Sequence, residues 1–440
     1  MVSDTKGILY KTAPLKLWNK ARELRVNHYK EIQEAPEKGR LLVGGSVQAY
    51  PSLIAGFGDF AHLGGEAYGA TIATDPDFAL KCAEAVEARG YARDLCSYMR
   101  MYWGSMFLDR YPFGGKFPHP NLLLHLHFCD THGKWYQVVS DYLGIPCKVI
   151  EFPTGGWGQR EDLKVEYLST QFNDAVEWME KTLGRKSDDE LMIESMKTEF
   201  MSQSLWGEIA LLNQAIPAPL DHKTMPTLHV LGVLMRHKKE CADFYKDLLE
   251  EVRERVAQKI AVVPTERLRL LHDGQPPWTF LEIFRYLEKF GAAVVGSHYL
   301  FYLGGTLWER EDGVLERRKT PQELGIPMRN REEALKVYAQ WILYKNMWSR
   351  AICLPSEERS DQVLKLVRQW RCDGVVIHLN RGCENMSYGC MENKLALNEA
   401  GVPTMTYEGN QADARELDTS QIINRVDAFM ESFGLSKLEK

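Results

Sequence analysis

The apolar run Leu122-Leu123-Leu124-His125-Leu126-His127-Phe128, closed by Cys129-Asp130, leaves few folds open to this chain. A near-continuous run of that length suits a strand buried on both faces, as in parallel sheets. A helix is expected from about Lys134 to Leu143, Gly144-Ile145-Pro146 turns the chain, and Lys148 to Phe152 reads as a second strand. Strand, helix and strand in succession argue for a doubly wound α/β unit. In such units the residues just past a strand's carboxyl end line the ligand crevice, which puts Cys129 there.

The pattern returns near the other end. Leu268 to His272, Ala293 to Gly296, Val375 to Leu379 and Thr404 to Tyr407 read as strands, with helices near Trp278 to Phe290, Asp361 to Trp370 and Glu392 to Glu399. A last helix carries Ile422, Val426, Phe429 and Phe433 on one face, and Gly434 lies past its end. Upstream, a helix from about Leu15 to Ile32 precedes a strand at Leu41 to Val43. Asp75-Pro76-Asp77 opens another helix, and Gly90 separates it from one spanning Tyr91 to Leu108. Between Gln159 and Ala261 strand signals fade, and Phe244, Leu248, Val252 and Val256 recur at fourfold spacing. The expected fold class is α/β, with two doubly wound, flavodoxin- or Rossmann-like parallel-sheet domains flanking a helical middle region. The expected domains span residues 1–158, 159–264 and 265–440, a division in keeping with 440 residues. The two α/β regions are candidates for distant copies of one plan.

A net charge of -6 offers no broad attraction to nucleic acid. No run approaches the roughly twenty apolar residues that span a bilayer, and Met1 to Tyr10 lacks the apolar middle of a secretory signal. The expectation is a cytoplasmic protein with no nucleic-acid or membrane partner. Nine cysteines, an odd and irregularly spaced set, do not form a disulfide framework in a reducing compartment. GxxxxGK[ST], GxGxxG, GxSxG, HExxH and CxxC are absent, as is a compact ferredoxin cysteine run; Gly44-Gly45, Gly64-Gly65, Gly114-Gly115, Gly155-Gly156 and Gly304-Gly305 read as turns.

Cys129 and Cys383 stand out because each follows a predicted parallel strand, one in each α/β region, so facing domains would share a cleft. Cys147, Cys353 and Cys82 fit core positions, Cys372 lies at a helix-to-strand turn, and Cys390 is an alternative neighbour of Cys383. His119, His125, His127 and His132 surround Cys129, and His127 or His132 is a candidate proton donor. Asp273, Gln275 and His298, at predicted strand ends, are candidates for the same cleft.

The stretch Asp373 to Glu384 with Gly401-Val402-Pro403 and Gln421 to Glu431 resembles the carboxyl-terminal signature of the 2-hydroxyacyl-CoA dehydratase and benzoyl-CoA reductase family. Phe128-Cys129-Asp130 followed by Gly144-Ile145-Pro146 resembles that family's central segment. Gly58 to Ala70 and Tyr98 to Phe107 look like the larger substrate-reducing subunit of benzoyl-CoA reductase. The resemblance implies one [4Fe-4S] cluster in the interdomain cleft, held at the positions matching Cys96, Cys129 and Cys383, with Cys82 a rival for the first. It further implies ATP-dependent single-electron reduction of an aromatic acyl-CoA, an oxidoreductase activity. The partners would be a homologous smaller reductase subunit, ATP-hydrolysing iron-sulfur activator subunits, and ferredoxin as indirect electron donor. A 2-hydroxyacyl-CoA dehydratase subunit, and a non-catalytic scaffold subunit, are the alternatives.

Overall fold

In the computed structural model, residues 8–47, 50–127, 129–153, 160–302, 305–344 and 356–438 are described. Phe128, Cys353, Gly155, Gly156, Gly304 and the 158/159 boundary lie outside them.

Strands β1 (Leu41–Gly45), β2 (Phe60–Gly64), β3 (Leu122–His127) and β4 (Cys147–Glu151) form one parallel sheet in the order β2-β1-β3-β4. Strands β5 (Leu268–Asp273), β6 (Ala292–Ser297), β9 (Gly374–Asn380) and β10 (Thr404–Gly409) form the second, in the order β6-β5-β9-β10. Numbered within each sheet, both read 2-1-3-4. In each, the chain leaves the first strand to one side and returns on the other, which makes a switch point between the first and third strands. A short antiparallel hairpin, β7 (Leu307–Glu309) with β8 (Leu315–Arg317), lies between β6 and β9 in sequence.

Alternation explains why the second sheet is buried twice. Val375 and Ile377 of β9 join the large core shared with the first sheet and the helices, whereas Val376 between them joins Leu268, Leu270, Val294 and Tyr407 in a separate core sealed by the Thr419–Ser432 helix. The helices Glu161–Leu183, Asp189–Leu212, Met225–Met235 and Lys239–Ala257 fill the stretch between the sheets. Local chemistry sets their ends: Asp188 accepts from Glu190 N and Leu191 N, and Gly184 closes the preceding helix at φ 65°. Phe244, Leu248 and Val252 are fully buried, as their spacing predicts.

Four elements depart from the sequence reading. β2, with His62 and Leu63 followed by Gly64-Gly65, carries too little periodicity to declare itself, and β7 and β8 are three residues each. The helix expected from Tyr91 begins only at Ser97. Its first residue is anchored by a tertiary bond, Ser97 N to Gly382 O at 3.3 Å.

His62, His222 and His229 are buried with ring nitrogens that have no hydrogen-bond partner, and burial holds the pKa of each at about 3 against an ordinary 6.5. In the unfolded chain they take up protons below pH 6.5, while the folded protein leaves them neutral. The stability is therefore full above pH 6.5 and is lost as pH falls toward 3, at about 1.4 kcal/mol per histidine at pH 5.5. Anaerobic urea titrations are expected to give a markedly lower midpoint at pH 5.5 than at pH 7.5. Equal midpoints would show that these rings are not held neutral in the fold.

Candidate functional site

Cys129 immediately follows the carboxyl end of β3 and caps the Asp130–Leu143 helix; Cys383 follows β9 and precedes the one-turn helix Glu384–Ser387. Both thus lie at the switch points of their sheets, where open α/β sheets bind ligands. Cys96 comes from neither sheet: it caps the Ser97–Phe107 helix. The bond from Ser97 N to Gly382 O lays the Cys96 turn directly on the Cys383 turn. Gln411 Nε2 spans the same gap, donating to Gly382 O at 3.0 Å and lying 3.9 Å from Cys96 Sγ. Gly382 makes the approach possible, since a Cβ there would lie 2.6 Å from Ser97 Oγ and from Asn410 Oδ1.

The three sulfurs are near enough for each of Cys96 and Cys383 to feel the charge of Cys129. Burial pushes the Cys96 thiol up to about 12 and the Cys383 thiol well above its ordinary value, against backbone N–H groups of Tyr98 and Met99 at the first and Asn385 and Met386 at the second. Buried as they are, the Cys96 and Cys383 thiols resist ionisation unless a positive centre stands beside them. Among the described residues no three His, Cys, Asp or Glu side chains close around a single metal ion. The thiols come from three separate turns, and backbone N–H groups at helix starts point at the sulfurs of Cys96 and Cys383.

His132 backs this arrangement. Cys129 Sγ lies 2.8 Å from His132 Nδ1, and His132 Nε2 lies 2.7 Å from Glu66 Oε1. Glu66 sits in the first turn of the Gly65–Ala73 helix, where the dipole favours a carboxylate, and its Oε2 accepts from Val47 N at 2.8 Å. Burial alone would lower the His132 pKa, but Cys129 and Glu66 on either side raise it to about 10. His127, by contrast, is engaged at the edge of the sheet, its Nδ1 2.8 Å from Glu151 Oε2 on β4. Of the two histidines singled out in the sequence, only His132 is brought to Cys129.

The second sheet contributes Gln275, two residues past β5, which accepts from Asn380 Nδ2 and from His378 Nδ1. Tyr299 and Tyr98 stand near Cys383, and Tyr98 accepts from Trp278 Nε1. Asp273 and His298 are instead fully buried and bonded to each other at 3.0 Å. Cys82 packs in the contact between the Pro76–Glu87 and Ser97–Phe107 helices, its backbone pressed on Gly104, so Cys96 rather than Cys82 meets the other two. Cys390 is buried and donates to Met386 O at 3.4 Å. Glu66, Tyr98 and Tyr299 escaped the sequence reading; the one signal was a carboxylate straight after the Gly64-Gly65 strand-to-helix turn.

Residues 66–433 match the family described as 2-hydroxyglutaryl-CoA dehydratase, D-component. The (R)-2-hydroxyisocaproyl-CoA dehydratase alpha subunit of Clostridioides difficile is 26% identical over 419 residues, covering 93% of this chain and 94% of that protein. The (R)-phenyllactyl-CoA dehydratase alpha subunit of Clostridium sporogenes is 26% identical over 415 residues, with the same coverage of both chains. The beta subunit of the latter enzyme also matches, at 20% identity over 61% of this chain and 63% of its own length. These relatives are dehydratase subunits, which are lyases, so the oxidoreductase expected from the resemblance to benzoyl-CoA reductase gains no support from them.

Proposed function

Since this chain belongs to the 2-hydroxyglutaryl-CoA dehydratase D-component family, we propose that it is the alpha-type subunit of a cytoplasmic, oxygen-sensitive 2-hydroxyacyl-CoA dehydratase. The observation that carries the reading is the meeting of Cys96, Cys129 and Cys383 at the junction of two sheets of identical strand order. These thiols would hold a [4Fe-4S] cluster, which when bound supplies a single-electron donor and an iron left without a cysteine ligand. The reaction removes a hydroxyl and a proton from the acyl chain as water and leaves a 2-enoyl thioester, with no net oxidation. Glu66, fixed by Val47 N and backed by His132 Nε2, takes the proton from the substrate and returns it to the departing hydroxyl. His132 also orients the Cys129 thiolate from its Nδ1 side. The match to a beta subunit supports a homologous smaller partner. An ATP-hydrolysing iron-sulfur activator and a ferredoxin complete the proposed assembly, because this chain has no phosphate-loop motif.

No helix among the described residues is long and apolar enough to cross a membrane. The test is an anaerobic assay of the chain purified with its partner and activator. With (R)-2-hydroxyisocaproyl-CoA or (R)-phenyllactyl-CoA, 2-enoyl-CoA is expected to form with ATP needed only in catalytic amounts. Conversion of benzoyl-CoA with stoichiometric ATP use, and none of a 2-hydroxyacyl-CoA, would overturn the dehydratase reading in favour of the reductase. An iron-free complex would leave the scaffold.

A further inference from the structure

Behind Cys383, away from the thiols, lies a second buried polar cluster that the chemistry above does not use. Asp273, the last residue of β5, is fully buried. Its Oδ2 accepts from Asn393 Nδ2 at 2.7 Å; its Oδ1 accepts from Gly274 N at 2.9 Å and lies 3.0 Å from His298 Nδ1 and 3.5 Å from Arg359 Nη2. Arg359, 2% exposed, turns the rest of its fork toward the Cys383 segment. Nη2 donates to Met386 O at 2.9 Å and lies 3.4 Å from Cys390 Sγ, and Nη1 donates to Tyr388 O. Ser360 Oγ donates to Asn393 Oδ1 at 2.9 Å, which steadies the amide that meets Asp273.

Met386 and Tyr388 bracket the end of the Glu384–Ser387 helix, which begins directly after Cys383. A single helical turn fixes several dihedral angles for very few hydrogen bonds, so it does not hold itself. Its last carbonyls also lack intrahelical partners. Arg359 satisfies carbonyls at that end with a planar fork that lysine cannot reproduce, and Asp273 compensates the buried guanidinium. At the other end of the turn, the N–H of Met386 faces the Cys383 sulfur. The chain takes a positive φ of 77° at Gly389, where a Cβ would stand 3.2 Å from Arg359 Cδ, so the fold reserves room for this side chain.

We propose that Arg359 and Asp273 are positioning residues for the iron-sulfur site: through Met386 O and Tyr388 O they hold the one-turn helix that presents Cys383. The inference rests on Cys383 being a ligand. The two act in series, since Arg359 contacts the helix end and Asp273 fixes Arg359.

The experiment compares Arg359→Lys and Asp273→Asn in the full chain, purified anaerobically, with Arg269→Lys as control. Arg269 is as deeply buried and is paired with Glu266, but it lies near the start of β5, at the opposite edge of the same sheet. Iron release to a ferrous chelator is followed with time, and the EPR spectrum of the reduced protein and the circular dichroism are recorded. Arg359→Lys and Asp273→Asn are expected to release iron at least about tenfold faster than the parent and to change the EPR line shape with helicity retained. Arg269→Lys is expected to release iron at the parent rate. Parent-like release and EPR from the Arg359 and Asp273 variants, or equal acceleration by Arg269→Lys, would overturn the positioning role. If Arg359→Lys fails to fold, Asn393→Ser removes one donor to Asp273 and decides by the same comparison. A parent protein without iron would instead defeat the cluster reading itself.

Discussion

Replacing Cys383 with serine is expected to remove most of the iron and the visible absorption of the anaerobic protein while leaving the chain folded. The thiol is partly buried, and its sulfur receives N–H groups of Asn385 and Met386. A serine hydroxyl keeps an acceptor at that helix start, so local structure survives. The hydroxyl is nevertheless a hard, rarely ionised oxygen where iron-sulfur groups are held by thiolates. Iron and acid-labile sulfide are expected to fall from about four of each per chain toward background, and dehydratase activity with them. Cys129→Ser is expected to behave alike, with the added loss of the contact to His132 Nδ1. Full iron content in either variant would remove that residue from the ligand set. Loss of helicity along with iron would mark it as a core residue instead.

Asp413→Ala is expected to cost about 3–5 kcal/mol of folding stability. Asp413 is 4% exposed and accepts from Arg100 Nη1 at 2.8 Å and Arg415 Nη2 at 2.7 Å. Arg100, fully buried in the Ser97–Phe107 helix, also donates through Nε to Leu95 O at 3.0 Å. The carboxylate therefore latches the turn carrying Cys96 onto the chain that follows β10. Although burial works against ionisation, Arg415 and Arg100 hold the Asp413 carboxyl at about 2, so it is charged at neutral pH. Without it, the Arg100 guanidinium is left buried with its main counter-charge gone. Urea unfolding of the iron-free protein measures the effect apart from metal binding. A change under about 1 kcal/mol would mean that Arg100 finds a replacement partner, for which Glu87 at 3.5 Å is placed. In the iron-loaded protein the same substitution is expected to loosen the Cys96 turn and speed iron loss.

The family was legible in the sequence for a chemical reason. The stretches around Cys129 and Cys383 encode strand, turn and thiol, which dehydratase and reductase share. The resemblance to the larger reductase subunit came from Gly58 to Ala70 and Tyr98 to Phe107. In the fold these segments build β2, the Glu66 helix start and the helix capped by Cys96. They are supports of the junction, and relatives that carry the dehydratase name align along nearly the whole chain.

The amino-acid sequence by itself determined the elements that depend on near neighbours. The apolar runs of β3 and β9 made buried strands, the fourfold spacing of Phe244, Leu248 and Val252 made a helix, and Gly144 and Gly434 ended others at positive φ. It also placed Cys129 and Cys383 just past strand ends, because that is a matter of a few residues. Only the tertiary structure decided that Cys96 rather than Cys82 meets them, that His132 and not His127 turns to Cys129, and that Arg359 reaches the carbonyls at the end of the helix after Cys383. Those outcomes depend on how two similarly wound units pack together through their loops and helices. The bonds that record the docking, Ser97 to Gly382 and Arg100 to Asp413, join residues about three hundred positions apart. Periodicity carries no information across such a distance; packing and the pairing of buried charges do.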